Sequence, residues 1–276
     1  MSRLTTFRTA TSVRSPIPLT DDEIHRVAPS IFADGKHESR SSRYTYIPTI
    51  QVLDGLRKEG FQPFMAMQAR VRDDGKREHT KHMLRLRHAD WVAQIGQEVN
   101  EIVLVNSHDG SSCYQMVAGV YRLVCSNGMV VGNDFADIRV PHKGDVIGQV
   151  VEGAHTVLNT FERVDAQRDG MKAHILDVGE QRAFARAALA LKYDGAAASA
   201  PITETQLLTP RRMEDHGDDL WTVFNRIQEG ILKGGLRSHT ANGRRIQTRA
   251  VSGIDQSLKL NRALWVLAEE MRKLKV

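Results

Sequence analysis

Between Glu229 and Asp255 the chain carries Lys233, Arg237, Arg244, Arg245 and Arg249 without one acidic residue. A guanidinium group grips a phosphate through two parallel hydrogen bonds, and an acid-free stretch leaves such groups unneutralised. Gly230, Gly234, Gly235 and Gly243 make the backbone pliable, while Ser238, Thr240, Asn242 and Thr248 add hydrogen-bonding side chains. The combination predicts a flexible loop suited to the phosphates of a nucleic acid. Its bland alternative is a solvated loop with no ligand.

A second basic group follows from strand periodicity. In 64–72 Met65, Met67, Ala69 and Val71 alternate with Phe64, Ala66, Gln68, Arg70 and Arg72, and Asp73-Asp74-Gly75-Lys76 supplies a turn. In 81–88 Leu84 and Leu86 fall on one side, with Lys81, Met83, Arg85 and Arg87 on the other. A hairpin of these strands would set Arg70, Arg72, Lys81, Arg85 and Arg87 on one cationic face, as in proteins that track a single strand. The alternative is the wet side of an amphipathic hairpin, with Asp73, Asp74 and Glu78 close by in sequence. Only Tyr44, Tyr46 and Phe64 lie near enough to stack on bases.

Catalytic chemistry has a weaker footing. His108-Asp109 could be a base and its orienting carboxylate, and Cys125, near Arg122, could be a thiol activated by a cation. Against this, Asn106, Ser107 and Asp109 are residues that cap their own turn, and Cys125 in a Leu-Val-Cys run reads as a small buried hydrophobe. His79-x-x-His82 lacks further ligands for a metal. No G-x-S-x-G, Walker loop or G-x-G-x-x-G occurs. We therefore expect no cofactor, no metal and, more readily than an enzyme, a binding protein.

Composition narrows the class. A net charge of +5 and a pI of about 9.3 are a moderate basic excess, concentrated at the ends: residues 203–276 hold 13 Lys and Arg against 9 Asp and Glu. Two cysteines, Cys113 and Cys125, are too few for a disulfide framework and imply a reducing compartment. There is no apolar run of roughly 18 residues and no apolar N-terminal core of a secretory signal, so a cytoplasmic protein without a membrane partner is expected.

The elements that must position these residues read as follows. Residues 1–43, rich in Ser, Thr, Arg and Pro, predict an extended or partly ordered arm, with a short helix after the capping box Thr20-Asp21-Asp22-Glu23. From 44 to 193 we expect an α+β core. It begins with a strand at 44–47 and a helix capped by Thr49, and continues with strands at 64–72, 81–88, 101–105, 112–118 and 121–131. Helices at 145–164 and 178–193 complete it. Residues 194–202 predict a linker, and 203–276 a C-terminal helical segment holding the basic Gly-rich loop. The fold class is thus α+β, an antiparallel β-sheet core with packed helices, because short connections disfavour a doubly wound parallel sheet.

Three stretches in order add a likeness: Asn106-Ser107-His108-Asp109-Gly110-Ser111-Ser112, then Arg122-Leu123-Val124-Cys125-Ser126-Asn127-Gly128, then 225–235 with Arg249 and Asn261-Arg262-Ala263-Leu264-Trp265. Together they resemble the plasmid- and prophage-encoded family known as domain of unknown function 932, over most of residues 38–270. The resemblance implies carriage by mobile elements, often beside genes for anti-restriction or DNA processing, and brings no catalytic residues with it. The resulting expectation is a non-catalytic nucleic-acid-binding accessory protein of a mobile genetic element, with DNA as partner, single-stranded DNA included, acting in recombination, replication or defence evasion. Homo-oligomerisation stays open. So do two alternatives: an enzyme around His108, Asp109, Arg122 and Cys125, and a module that sequesters a host protein through a last-helix face bearing Glu269, Arg272 and Lys273.

Overall fold

The computed structural model describes residues 12–35, 46–70, 77–89, 98–123, 127–132, 137–193, 200–239 and 244–275. The chain divides into two units, each discontinuous in sequence. One comprises Met1–Ile95, Asn100–Val117 and Ala136–Leu158; the other comprises Gly96–Val99, Ala118–Phe135 and Asn159–Val276.

The main sheet is antiparallel and follows the order β1 (Ser12–Arg14), β2 (Phe61–Gln68), β3 (His82–His88), β4 (Glu98–Asn106), β5 (Tyr114–Arg122), β6 (Asn127–Val130), with β7 (Asp137–Val140) also paired to β5. Residues 12–14, placed by composition in the arm, instead add a strand to β2, where Val13 opposes Ala66. The register between β2 and β3 shifts at Pro63 and Met65. Proline has no N–H to give the ladder, which confines it to such irregular or edge positions.

Among the described residues, three α-helices accompany the sheet in the first unit. In α1 (Asp21–Val27) Thr20 and Glu23 form the reciprocal capping box that the sequence predicts. A Cβ on Gly55 of α2 (Thr49–Lys58) would meet Ile147 of α3 (Val146–Leu158) at 2.8 Å, so these helices approach closely. On α3 itself, a Cβ at Gly153 would meet Met116 of β5 at 2.4 Å and Ile138 of β7 at 2.9 Å. Small residues at these points let the helix lie against its neighbours.

The second unit is mainly helical: α4 (Phe161–Lys172), α5 (Val178–Lys192), α6 (Glu204–Leu208), α7 (Leu220–Lys233) and α8 (Ile254–Lys273). Its core holds an aromatic cluster. The Phe224 ring meets Trp265 edge-on at 5.9 Å, Trp221 meets Trp265 at 6.0 Å, and Phe184 stacks on Phe224 at 6.3 Å. Such pairs contribute about 0.5–1.5 kcal/mol each beyond their buried area. The single helix expected over 145–164 is two, α3 and α4, interrupted at Asn159 and Thr160. Both features establish an α+β protein with an antiparallel sheet and a C-terminal helix.

Candidate nucleic-acid interface and the buried polar network

The acid-free stretch is no loop throughout. In the second unit it forms a two-stranded ribbon, β8 (Arg237–His239) with β9 (Arg245–Gln247), in which Arg237 opposes Gln247, Ser238 opposes Ile246 and His239 opposes Arg245. Directly opposed residues of an antiparallel pair share a face, and the face alternates along the strand. Arg237, His239, Arg245 and Gln247 thus lie together, all exposed. Ser238 is buried on the reverse side, and its hydroxyl donates to the Pro201 carbonyl.

The base of the ribbon is tied at several points. Gly235 N donates to Thr248 O at 2.8 Å, Thr248 N to Leu236 O at 2.9 Å, and Val251 N to Leu232 O at 2.8 Å. Gln206 of α6 donates its side-chain amide to Arg237 O at 2.8 Å. Gly234, which ends α7, has φ 63° and ψ −139°, a combination open essentially to glycine. A Cβ there would also sit 2.6 Å from Thr248 O. The sequence does contain a ribbon signal, the dipeptide Asn242-Gly243 between two alternating segments, but a dense run of glycines obscures it.

The cations of this stretch differ in their commitments. Lys233 pairs with Glu229 at 3.3 Å, and Glu229 also receives Arg212 at 2.8 Å. Burial pushes the Glu229 carboxyl up, but the Arg212 hydrogen bonds and the Lys233 charge carry it below its ordinary value. Arg237, Arg244, Arg245 and Arg249 are exposed. Among the described residues, no carboxylate pairs with Arg237, Arg245 or Arg249.

The cationic hairpin face expected on β2 and β3 needs correction. Arg70 is exposed beyond the end of β2 and Lys81 is half-buried, but Arg85 and Arg87 are buried, and Arg72 lies outside the described residues. Both faces of β3 are covered, so alternation there separates two interiors rather than core from water. Glu101, fully buried on β4, is the reason. Its carboxylate takes Arg87 Nη2 at 2.8 Å and Arg85 Nη1 at 3.2 Å, with Arg14 Nη1 at 3.6 Å. The Arg87 guanidinium also lies 4.3 Å from the centre of the Phe64 ring. Burial lowers the Arg85 pKa to about 10 despite the Glu101 charge, leaving the group protonated at neutral pH.

Beside the sheet the first unit holds a polar network that residue spacing does not reveal. Thr49, the first residue of α2, is fully buried, and its hydroxyl does not cap its helix. Its Oγ1 instead lies 2.8 Å from His82 Nε2, 3.1 Å from His108 Nε2, 3.1 Å from Asn106 Nδ2 and 3.3 Å from the Tyr114 hydroxyl. On its far side His82 Nδ1 faces Thr80 O at 3.2 Å and Ser30 Oγ at 2.8 Å.

These partners fix the proton positions. A carbonyl only accepts, so His82 Nδ1 carries the hydrogen; Ser30 Oγ passes its own on to Gln68 Oε1 at 2.8 Å. Burial holds the His82 pKa down to about 4, so Nε2 is a bare acceptor and Thr49 donates to it. Thr49 then accepts from Asn106 and from His108 Nε2–H. His108, whose pKa burial and the neighbouring histidines 82, 142 and 79 lower to about 2, keeps a lone pair on Nδ1, which has no hydrogen-bond partner among the described residues.

Three of the four residues of the enzyme alternative have separate engagements. His108 joins the network above, and the Asp109 carboxylate accepts from Ser111 N at 2.9 Å, capping its own turn. Arg122 is buried and bonds Asp215 at 2.6 Å, while Cys125 lies outside the described residues. No group of three or more His, Cys, Asp or Glu side chains is arranged to hold a metal ion among the described residues. On α8, Glu269 is buried and takes Arg272 at 3.2 Å, and Lys273 pairs with Glu270 at 2.7 Å. No helix among the described residues is long and apolar enough to cross a membrane.

A family model described as "Domain of unknown function (DUF932)" matches residues 36–265. The chain belongs to this family. Similar to it over nearly their whole lengths are two proteins of Escherichia coli (strain K12), "UPF0380 protein YafZ" and "UPF0380 protein YfjQ". Each is 54% identical over 272 residues, covering 98% of this chain and 98% of the relative. No solved structure matches the chain. The DUF932 match covers Thr49, His82 and His108, Glu101 with Arg85 and Arg87, and the ribbon, whereas Ser30 and Arg14 precede it.

Proposed function

We propose that the chain is a non-catalytic nucleic-acid-binding protein with DNA as its partner, serving a mobile genetic element in recombination, replication or defence evasion. One observation carries the proposal: Arg237, Arg245 and Arg249 are exposed on or beside an anchored ribbon and pair with no carboxylate among the described residues. Guanidinium groups so placed meet phosphate oxygens without first breaking an internal ion pair, and their counterions are released on binding.

The test is affinity for short DNA at two salt concentrations. Binding tightens as salt falls, with a logarithmic slope of about 0.7–0.9 per phosphate contacted, and alanine at Arg249 reduces that slope by about 1. Absence of binding at low salt refutes the proposal.

A further inference from the structure

The form of the nucleic acid can be argued from the ribbon itself, on the footing of the function proposed above. We infer that the β8–β9 ribbon enters the major groove of double-stranded B-form DNA, with Arg237, Arg245 and Gln247 toward base edges and Arg249 on a flanking phosphate.

Shape comes first. Two paired strands lie about 4.8 Å apart, and a ribbon of this kind is among the few elements that a B-form major groove, about 12 Å wide, admits. The major groove of A-form RNA is too deep and narrow for side chains to read. The hydrogen bonds of Gly235, Thr248 and Gln206 tie the ribbon's base to the body of the unit, so its side chains start from a fixed platform.

Chemistry points the same way. The exposed face joins Arg237 to Gln247 as opposed residues, with Arg245 on the same face. Arginine reads the two acceptors of guanine and glutamine the acceptor and donor of adenine, each through paired hydrogen bonds in that groove. Single strands are held by stacking bases on aromatic rings. The segment 233–253 contains no Phe, Tyr or Trp and a single imidazole, His239, so the ribbon lacks the row of aromatic rings on which successive bases stack. Arg249 follows β9, where a groove-inserted ribbon passes the phosphate rim.

The experiment uses the full chain and one sequence, first selected from a random duplex pool, presented as duplex DNA, as either single strand and as duplex RNA. Duplex DNA binds at least about tenfold more tightly than the others, and methylation of guanine N7, a major-groove acceptor, weakens it. Arg237→Ala and Gln247→Ala each lower affinity for the selected site about tenfold but for random duplex by less than about twofold. Arg249→Ala weakens both equally. Melting curves of these exposed variants match the parent. Equal affinity for a single strand, duplex RNA or heparin, or indifference to N7 methylation, overturns groove entry while nucleic-acid binding stands. Failure to bind any nucleic acid at low salt removes both.

Discussion

Thr49 Oγ1 donates a hydrogen bond to His82 Nε2 across 2.8 Å, in an interior where both residues are almost wholly buried. A hydroxyl donating to a neutral imidazole is the arrangement by which enzymes activate a nucleophile. Here the same hydroxyl also serves Asn106 and His108, and its burial makes it a structural junction. Thr49→Val keeps the shape but strips partners from His82 Nε2, the Asn106 amide and His108 Nε2. At about 1–3 kcal/mol for a buried group left unsatisfied, the expected loss is roughly 3 kcal/mol or more, with Thr49→Ser well below that. Urea unfolding of the three proteins decides; equal midpoints for Val and Ser would contradict the junction.

Acid should unfold this network. The His82 pKa is lowered to about 4 and that of His108 to about 2, both mainly by burial, and burial lowers His142 as well. In the unfolded chain these groups return to about 6.5. The unfolded state therefore takes up protons first as pH falls. Stability from the neutral histidines is complete above about pH 6.5 and declines below it, at about 1.4 kcal/mol per unit for each histidine, until the folded pKa is reached. Between about pH 7.5 and pH 5 His82 and His108 together remove roughly 4 kcal/mol. Unfolding midpoints measured across that range should fall steadily, and a flat profile would show that the histidines are not held neutral.

Glu101 is the carboxylate to which Arg85, Arg87 and Arg14 converge. Removing one partner of a buried ion pair costs about 3–5 kcal/mol, because the remaining charge stays desolvated. Glu101→Ala should lose that much in equilibrium unfolding, and Glu101→Gln somewhat less, since the amide oxygen still accepts. A Glu101→Gln protein as stable as the parent would mean that the guanidiniums draw their compensation from elsewhere.

Local signals in the sequence were legible where one residue answers another nearby. The Thr20 and Glu23 capping box and the helix starting near Val178 need only a few residues to declare themselves. The Arg85 and Arg87 face misleads because the alternation of β3 is genuine, yet the residue that makes it an interior, Glu101, lies on another strand. Thr49, His82 and His108 meet across 33 and 59 residues of chain, and nothing in their spacing announces it. The ribbon lies between these cases: its arginines are plain in the sequence, whereas the pairing that sorts them onto one face is set by backbone ties at Gly235, Leu236 and Thr248.

Those ties make the ribbon sensitive to its two glycines in different degrees. Gly234 and Gly235 both have positive φ, 63° and 77°, so alanine strains either backbone. A strained residue of this kind costs on the order of 1–3 kcal/mol. Space separates the two positions. At Gly235 a Cβ meets nothing within 4 Å, whereas at Gly234 it comes to 2.6 Å from Thr248 O and 2.7 Å from the Arg249 carbonyl carbon. Those are backbone atoms that cannot swing aside, and they belong to the strand that presents Arg249. Gly234→Ala should thus pry the base of the ribbon apart. Amide hydrogen exchange over 237–239 and 245–247 should quicken, and affinity for duplex DNA should fall about tenfold or more. Gly235→Ala should change both only modestly. Similar exchange and affinity in the two variants would indicate that the Gly234 contact does not hold the ribbon in place.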